Sequence, residues 1–206
     1  MTRDNNKIIT IVLAIIISIS AIAILYVNLP DTNNKDNEKE SKNSSAKIIF
    51  TAINGDEVLS YTLEDLEKLE AYSGSGKQIK AKPLEESGEV IIKGPFDLIG
   101  VKFTTILGQF ENLPDNFNIT VTASDGWPSS FTKDQAYGIV EAYNETGIVI
   151  SKTGAAMILA YKEDGEYIPE GEDEAGPLRI GFVGDDVITL SNLWSKMVES
   201  IEIVEV

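Results

Sequence analysis

The sequence predicts an α+β domain, a mixed β-sheet with short helices, preceded by one N-terminal transmembrane helix. Three observations carry that prediction. Ile8 to Val27 is an uncharged apolar run. Lys47 to Val206 alternates many short β-rich segments with two or three short helical ones. Those segments show no regular βαβ alternation, which sets the chain apart from parallel α/β folds.

The apolar run is broken only by Thr10, Ser18, Ser20 and Tyr26. A helix over 8–27, rising ~1.5 Å per residue, spans the hydrocarbon core of a bilayer. Arg3 and Lys7 precede it, as the positive-inside rule asks of a cytoplasmic end. Asp4, and Lys35, Lys39 and Lys42 on the far side, make that bias modest. A cleaved signal peptide would have a shorter apolar stretch and small residues at the cut, and Leu25-Tyr26-Val27-Asn28-Leu29 offers no such site. The expectation is an uncleaved signal anchor: 1–7 cytoplasmic, 8–27 in the cell membrane as a single pass, and the bulk extracytoplasmic. Residues 28–46 read as a flexible polar linker, because Asp31 to Ala46 holds Asn, Lys, Glu and Ser without large apolar groups. As a coil such a linker spans about 20–25 Å.

Residues 47–206 are long enough to bury a core of their own. Ile48 to Ile53 is an uncharged β-rich run ending in Asn54-Gly55, a hairpin signal, with Val58 to Tyr61 as the returning strand. Thr62 with Asp65 reads as a helix N-cap, followed by leucines at 63, 66 and 69. Gly74-Ser75-Gly76 predicts a break, Gln78 to Lys82 a strand, and Val90-Ile91-Ile92 a short apolar run punctuated by Gly94-Pro95 and Gly100. Phe103 to Phe110 has helical spacing, and Ile119 to Ala123 alternates as a strand that stops at Asp125-Gly126. Thr132 with Gln135 predicts a second capped helix reaching about Glu141. Strands are expected over Gly147 to Ser151, Ala156 to Tyr161 (turning at Asp164-Gly165), Leu178 to Val183, Val187 to Leu190 and Met197 to Val204.

Composition excludes more chemistry than it suggests. The chain has no cysteine and no histidine, so it offers no thiolate, disulfide, lipid-modified cysteine or imidazole. Its formal charge is −16, and residues 1–46 are balanced, so the excess lies on 47–206. Such a surface repels phosphate backbones, which argues against nucleic-acid binding.

Ser73-Gly74-Ser75-Gly76-Lys77 echoes the end of a phosphate-binding loop, but Ala71 and Gln78 occupy the places that need Gly and Ser or Thr. Glu163, Asp164, Glu166, Glu170, Glu172, Asp173 and Glu174 crowd one acidic loop whose spacing fits no EF-hand, so a solvated loop is expected. Asp185-Asp186 reads as a turn. Asn43, Asn118 and Asn144 open N-x-[ST] triplets, which are glycosylation acceptors only in a host that glycosylates exported proteins and are otherwise chance occurrences. Trp127, beside Asp125-Gly126, either lines a pocket or covers the edge of the core. Arg179, the only arginine after Arg3, suits either anion binding or a buried salt bridge.

In order along the chain, several segments resemble the oxidoreductase molybdopterin-binding domain family, the sulfite-oxidase-like fold. Tyr61-Thr-Leu-Glu-Asp-Leu66 is similar to its strand-to-helix start, and Gly94 to Leu107 to its glycine, spacer and G-V-x-L-x-x-L-L stretch. Ile119 to Trp127 resembles its strand ending in D-G-[YW], and Thr132 to Ala136 the short helix after it. Ile158 to Tyr161, Asp164-Gly165, Gly176 to Ile180, Leu193-Trp194 and Val198 to Val204 resemble motifs of its C-terminal half. The resemblance implies a pocket for a pterin-bound molybdenum, and Asp125, Trp127, Tyr161 and Arg179 as the candidate cofactor-binding residues. It also implies a cysteine ligand from the segment aligned with Gln78 to Gly94, where this chain has none.

The reading that follows is a membrane-anchored, extracytoplasmic module for ligand binding or an accessory role, without catalytic residues and without thiolate-held molybdenum. No cofactor is expected, molybdopterin entering by resemblance only. The partners are the membrane through 8–27 and a small ligand or redox protein. The alternatives are a molybdopterin-dependent oxidoreductase or its redox-partner subunit, and a structural acidic cell-surface domain.

Overall fold

The computed structural model describes residues 47–81, 90–170, 176–185 and 187–206. The expected anchor and linker lie outside these residues. Among the described residues no helix is long and apolar enough to cross a membrane.

The chain enters through a hairpin of Ile48–Asn54 (β1) and Glu57–Thr62 (β2), joined at Gly55. Thr62 then caps Leu63–Lys68 (α1) as expected: its hydroxyl accepts from Asp65 N at 3.2 Å, while the Asp65 carboxylate accepts from Thr62 N at 3.1 Å. Two orphan amides are satisfied reciprocally, and Leu66 is driven into the core. The hydrogen bonds from Thr62, side chain first, hold the Asp65 carboxyl below its ordinary range.

Two long strands follow, Ala71–Ala81 (β3) and Val90–Lys102 (β4), and both correct the expected punctuation. Gly74-Ser75-Gly76 is no break but lies inside β3. A Cβ at Gly76 would collide with the Phe182 carbonyl, so glycine is there for close backbone approach rather than for a turn. Gly94-Pro95 likewise lies inside β4.

The middle of the domain is Phe103–Leu107 (α2), Phe117–Ala123 (β5), Pro128–Thr132 (β6), Lys133–Ala136 (α3), Ile139–Tyr143 (β7) and Val149–Gly154 (β8). Thr132 and Gln135 form the predicted capping box, but α3 stops at Ala136 instead of running to Glu141. The cause is Gly138, whose φ of 84° leaves the helix and whose Cα abuts the Ala155 carbonyl. The C-terminal part is Ala156–Glu163 (β9), Glu166–Tyr167 (β10), Arg179–Val183 (β11), Ile188–Leu190 (β12), a 3₁₀ turn at Ser191–Leu193, and Val198–Glu205 (β13).

These strands form a five-stranded sheet, β2-β1-β13-β5-β6, and a six-stranded one, β10-β9-β4-β3-β12 with β11 on β9; β7 and β8 pair separately. Both large sheets are mixed, since β1 runs parallel to β13 and β12 parallel to β3. The second sheet curls: beyond β11, Gly184 N donates to Ser75 O of β3 at 3.0 Å. The main core lies between the sheets, with Phe50, Ile119 and Ile201 from the first, Val101, Leu159 and Ile180 from the second, and Phe103 and Ile106 from α2. Each such side chain contributes about 1.5–3 kcal/mol by leaving water. A smaller cluster of Leu98, Ile158, Ala160, Ile168, Val183 and Trp194 covers the other face of the second sheet.

Candidate functional site

Two places hold the polar residues that the sequence singles out. The first is the outer face of the second sheet. Arg179 opens β11 opposite Ala160 of β9, and directly paired residues share a face of the sheet. Ala160 belongs to the smaller cluster, so Arg179 points away from the main core, into which Tyr161 is packed. Alternation thus sets Arg179 and Tyr161 on opposite sides of one sheet.

Arg179 is only 2% exposed. Its guanidinium pairs with Glu163 and lies 5.0 Å from the Phe96 ring centre and 5.3 Å from that of Trp194. Trp194 in turn donates Nε1 to Thr189 Oγ1 at 2.8 Å. The register explains how Glu163 arrives there. Between Ile99 and Gly100 the pairing of β4 with β9 shifts, so that Glu163 stands opposite Leu98 and Ala160 opposite Gly100. Simple alternation from Tyr161 would send Glu163 into the main core. The extra residue re-aims it onto the face of Arg179, a usual consequence of a β-bulge. Arg179 Nε and Ser195 Oγ are the two buried polar side-chain atoms without a protein partner among the described residues. Burial, more than the nearby charge of Glu67, raises the Tyr161 hydroxyl above its ordinary value.

The second place is a groove of about 600 Å³ at one end of the first sheet. Its walls are Lys47 to Ile49 where the chain enters β1, Ser124 and Asp125 after β5, Glu170, Gly176-Pro177 before β11, and Met197 to Glu199 at β13. Ile48, Ile49, Met197 and Val198 give it apolar walls, and Asp125, Glu170 and Glu199 give it carboxylates. Lys47 Nζ pairs with Glu170 at 3.1 Å. Asp125 Oδ1 accepts from Trp127 N at 2.9 Å, closing a tight Asx turn. Trp127 itself is 72% exposed and lines neither the groove nor the core edge.

Of the four candidate pocket residues, then, Asp125 and Trp127 share one turn, and only Asp125 faces the groove. Tyr161 is core, and Arg179 is held in a buried ion pair on the opposite face. The four do not line a common cavity among the described residues. The sequence reading missed Glu163 as the partner of Arg179 because it stood among seven acidic residues; only the bulge singles it out. It also missed Lys47, Glu170 and Glu199, which are brought together by non-local strand pairing that no local pattern reports.

The remaining motifs resolve as structure. Glu170 pairs with Lys47, and 171–175 of the acidic loop lie outside the described residues. Among the described residues no group of three or more His, Cys, Asp or Glu could hold a metal ion. Asn144 Oδ1 accepts from Thr146 N and Ile148 N at 3.0 and 2.9 Å and so shapes its own turn. Asn118 lies in β5, and Asn43 lies outside the described residues.

The donor set does not fit the cofactor that the family resemblance implies. The chain has no cysteine anywhere, and molybdenum held by a soft thiolate has no counterpart among carboxylates. The buried arginine that could face a cofactor phosphate is occupied by Glu163 and two aromatic rings, and the groove presents carboxylates, which repel a phosphate.

No family model and no curated protein matches the chain. Among solved structures it is similar to the sulfane dehydrogenase SoxCD from Paracoccus pantotrophus, with a TM-score of 0.51 and 16% identity. That match covers 78% of this chain but only 39% of the other, so the chain spans about two fifths of that protein. The likeness is one of fold: a mixed α+β sheet domain resembling the sulfite-oxidase-like, molybdopterin-binding fold at low identity.

Proposed function

We propose that this protein is a membrane-anchored, extracytoplasmic ligand-binding or accessory module on a sulfite-oxidase-like scaffold, without thiolate-ligated molybdenum and without catalysis of its own. The anchor is 8–27, the tether 28–46, and the folded unit 47–206. One observation carries the reading. Arg179, the buried arginine that the resemblance would assign to the cofactor, is instead closed off by Glu163, Phe96 and Trp194 in a chain that has no cysteine. Fold likeness does not restore a reaction, because function belongs to the site. The groove beside Asp125 is where a small ligand would sit, with apolar walls for its body and carboxylates for a positive or hydroxylated group.

The test is elemental and pterin analysis of the full chain purified from membranes of its native host. Molybdenum and pterin fluorescence are expected at background level. Stoichiometric molybdenum would overturn the proposal in favour of an oxidoreductase.

A further inference from the structure

Trp127 is a large side chain that neither the fold nor the groove uses. It is 72% exposed, whereas Trp194 is 7% exposed. Yet its backbone is held firmly. Asp125 Oδ1 accepts from Trp127 N at 2.9 Å, Gly126 N donates to Ala123 O at 2.8 Å, and Ala123 N donates to Trp127 O at 3.1 Å. Ser124 N is tied across to Met197 O at 2.8 Å. An indole displayed from so well-braced a turn is pre-organised for contact.

Ile48, 58% exposed, lines the same groove as Asp125, so two exposed apolar side chains mark this end of the first sheet. Lys47, the first described residue, lies at the same end and lines the same groove. The described residues therefore begin at the edge that presents Trp127.

We propose that this edge, with Trp127 at its tip and Ile48 at the same end of the sheet, is a lipid-contacting surface that seats the indole among zwitterionic headgroups. The inference rests on the reading of 8–27 as a membrane anchor. Tryptophan favours the membrane interface, where its ring body meets the apolar side and its N–H meets water. The patch is too small to hold a soluble protein partner from dilute solution. It suffices for a surface to which the proposed anchor already ties the chain, because tethering raises the local concentration of lipid. Charge selects the lipid. Asp125, Glu170 and Glu199 stand around the groove, and the chain carries −16 overall, so an anionic surface is repelled.

The experiment uses the full chain reconstituted into phosphatidylcholine vesicles whose acyl chains are brominated near the headgroup, with flotation as the control for anchoring. Of the two tryptophans, Trp127 alone is then expected to be quenched, while the buried Trp194 keeps its emission. Trp127→Ser abolishes that quenching without changing flotation, and replacing half of the lipid by phosphatidylserine reduces it. A protein that floats but is not quenched overturns the lipid-contact proposal and leaves the anchor standing. A protein that does not float overturns the anchor, and the proposal falls with it. Quenching that survives in Trp127→Ser, or an emission shift that follows protein concentration instead of lipid, also overturns it, the second pointing to contact between copies.

Discussion

Trp194 donates its indole N–H to Thr189, packs at a tilt against Phe96 and lies under the Arg179 guanidinium, whereas Trp127 holds its ring in water at the tip of a braced turn. The same side chain is thus fully specified in one place and left open in the other. The difference lies in what each neighbourhood must pay for. Around Trp194 a buried cation has to be neutralised, and Glu163, Phe96 and Trp194 itself converge on it. Around Trp127 the backbone is satisfied by the turn itself, so the side chain is free for whatever meets it from outside. A residue conspicuous in sequence is therefore no guide to a pocket until its neighbours are known.

Breaking the ion pair tests this contrast with the largest effect. Glu163→Ala leaves the Arg179 guanidinium buried without its counter-charge, and removing one partner of a buried pair costs about 3 kcal/mol. The urea midpoint is expected to fall by more than 1 M, with the slope unchanged, since m is about 1–3 kcal/mol/M for domains of this size. Replacing both partners together, Arg179→Met with Glu163→Met, removes the stranded charge and is expected to recover most of the loss. If Glu163→Ala is as stable as the parent, the guanidinium is solvated and the outer face of the second sheet is more open than its geometry shows.

The elements of the fold were legible where local chemistry decides them. The hairpin at Asn54-Gly55, the capping boxes at Thr62 and Thr132, and the strands over β5, β9 and β13 follow from turn residues and alternation. What failed were inferences from glycine. Gly76 and Gly94 read as breaks but lie inside strands, Gly76 for close backbone approach and Gly94 with a φ of 106°, and Gly138 ended a helix that the capping box alone would extend. The candidate site was less legible still. Asp125 and Trp127 are neighbours in sequence and remain so in space. Tyr161 and Arg179 are set apart by the pairing of Arg179 with Ala160, and Glu163 is turned toward Arg179 by a bulge. Register is a property of two strands at once, and one strand's sequence does not contain it.

A smaller effect is expected from the hydrogen bond that positions Trp194. Trp194→Phe keeps an aromatic ring near Phe96 and Arg179 but leaves the hydroxyl of Thr189, itself fully buried, without its donor. Such an unsatisfied group costs about 1–3 kcal/mol. Adding Thr189→Val removes the orphaned oxygen and is expected to return part of that cost. Thermal unfolding of the two variants and their combination measures the coupling, and strict additivity would show that the 2.8 Å contact contributes nothing to the order of this face.

The smallest expected effect is the one that most sharpens the comparison. Trp127→Ser removes a ring that covers no core and lines no groove, while Asp125 still accepts from the backbone amide of residue 127. Substitutions of exposed side chains that touch nothing stay within about 0.5 kcal/mol. Urea unfolding of Trp127→Ser is therefore expected to overlay that of the parent, with only the exposed, red-shifted part of the tryptophan emission lost. A clear drop in stability would mean that the indole folds back onto the domain in solution, making it a lid on the core edge. Equal stability leaves a large apolar side chain that the fold does not need, held at the edge where the described residues begin.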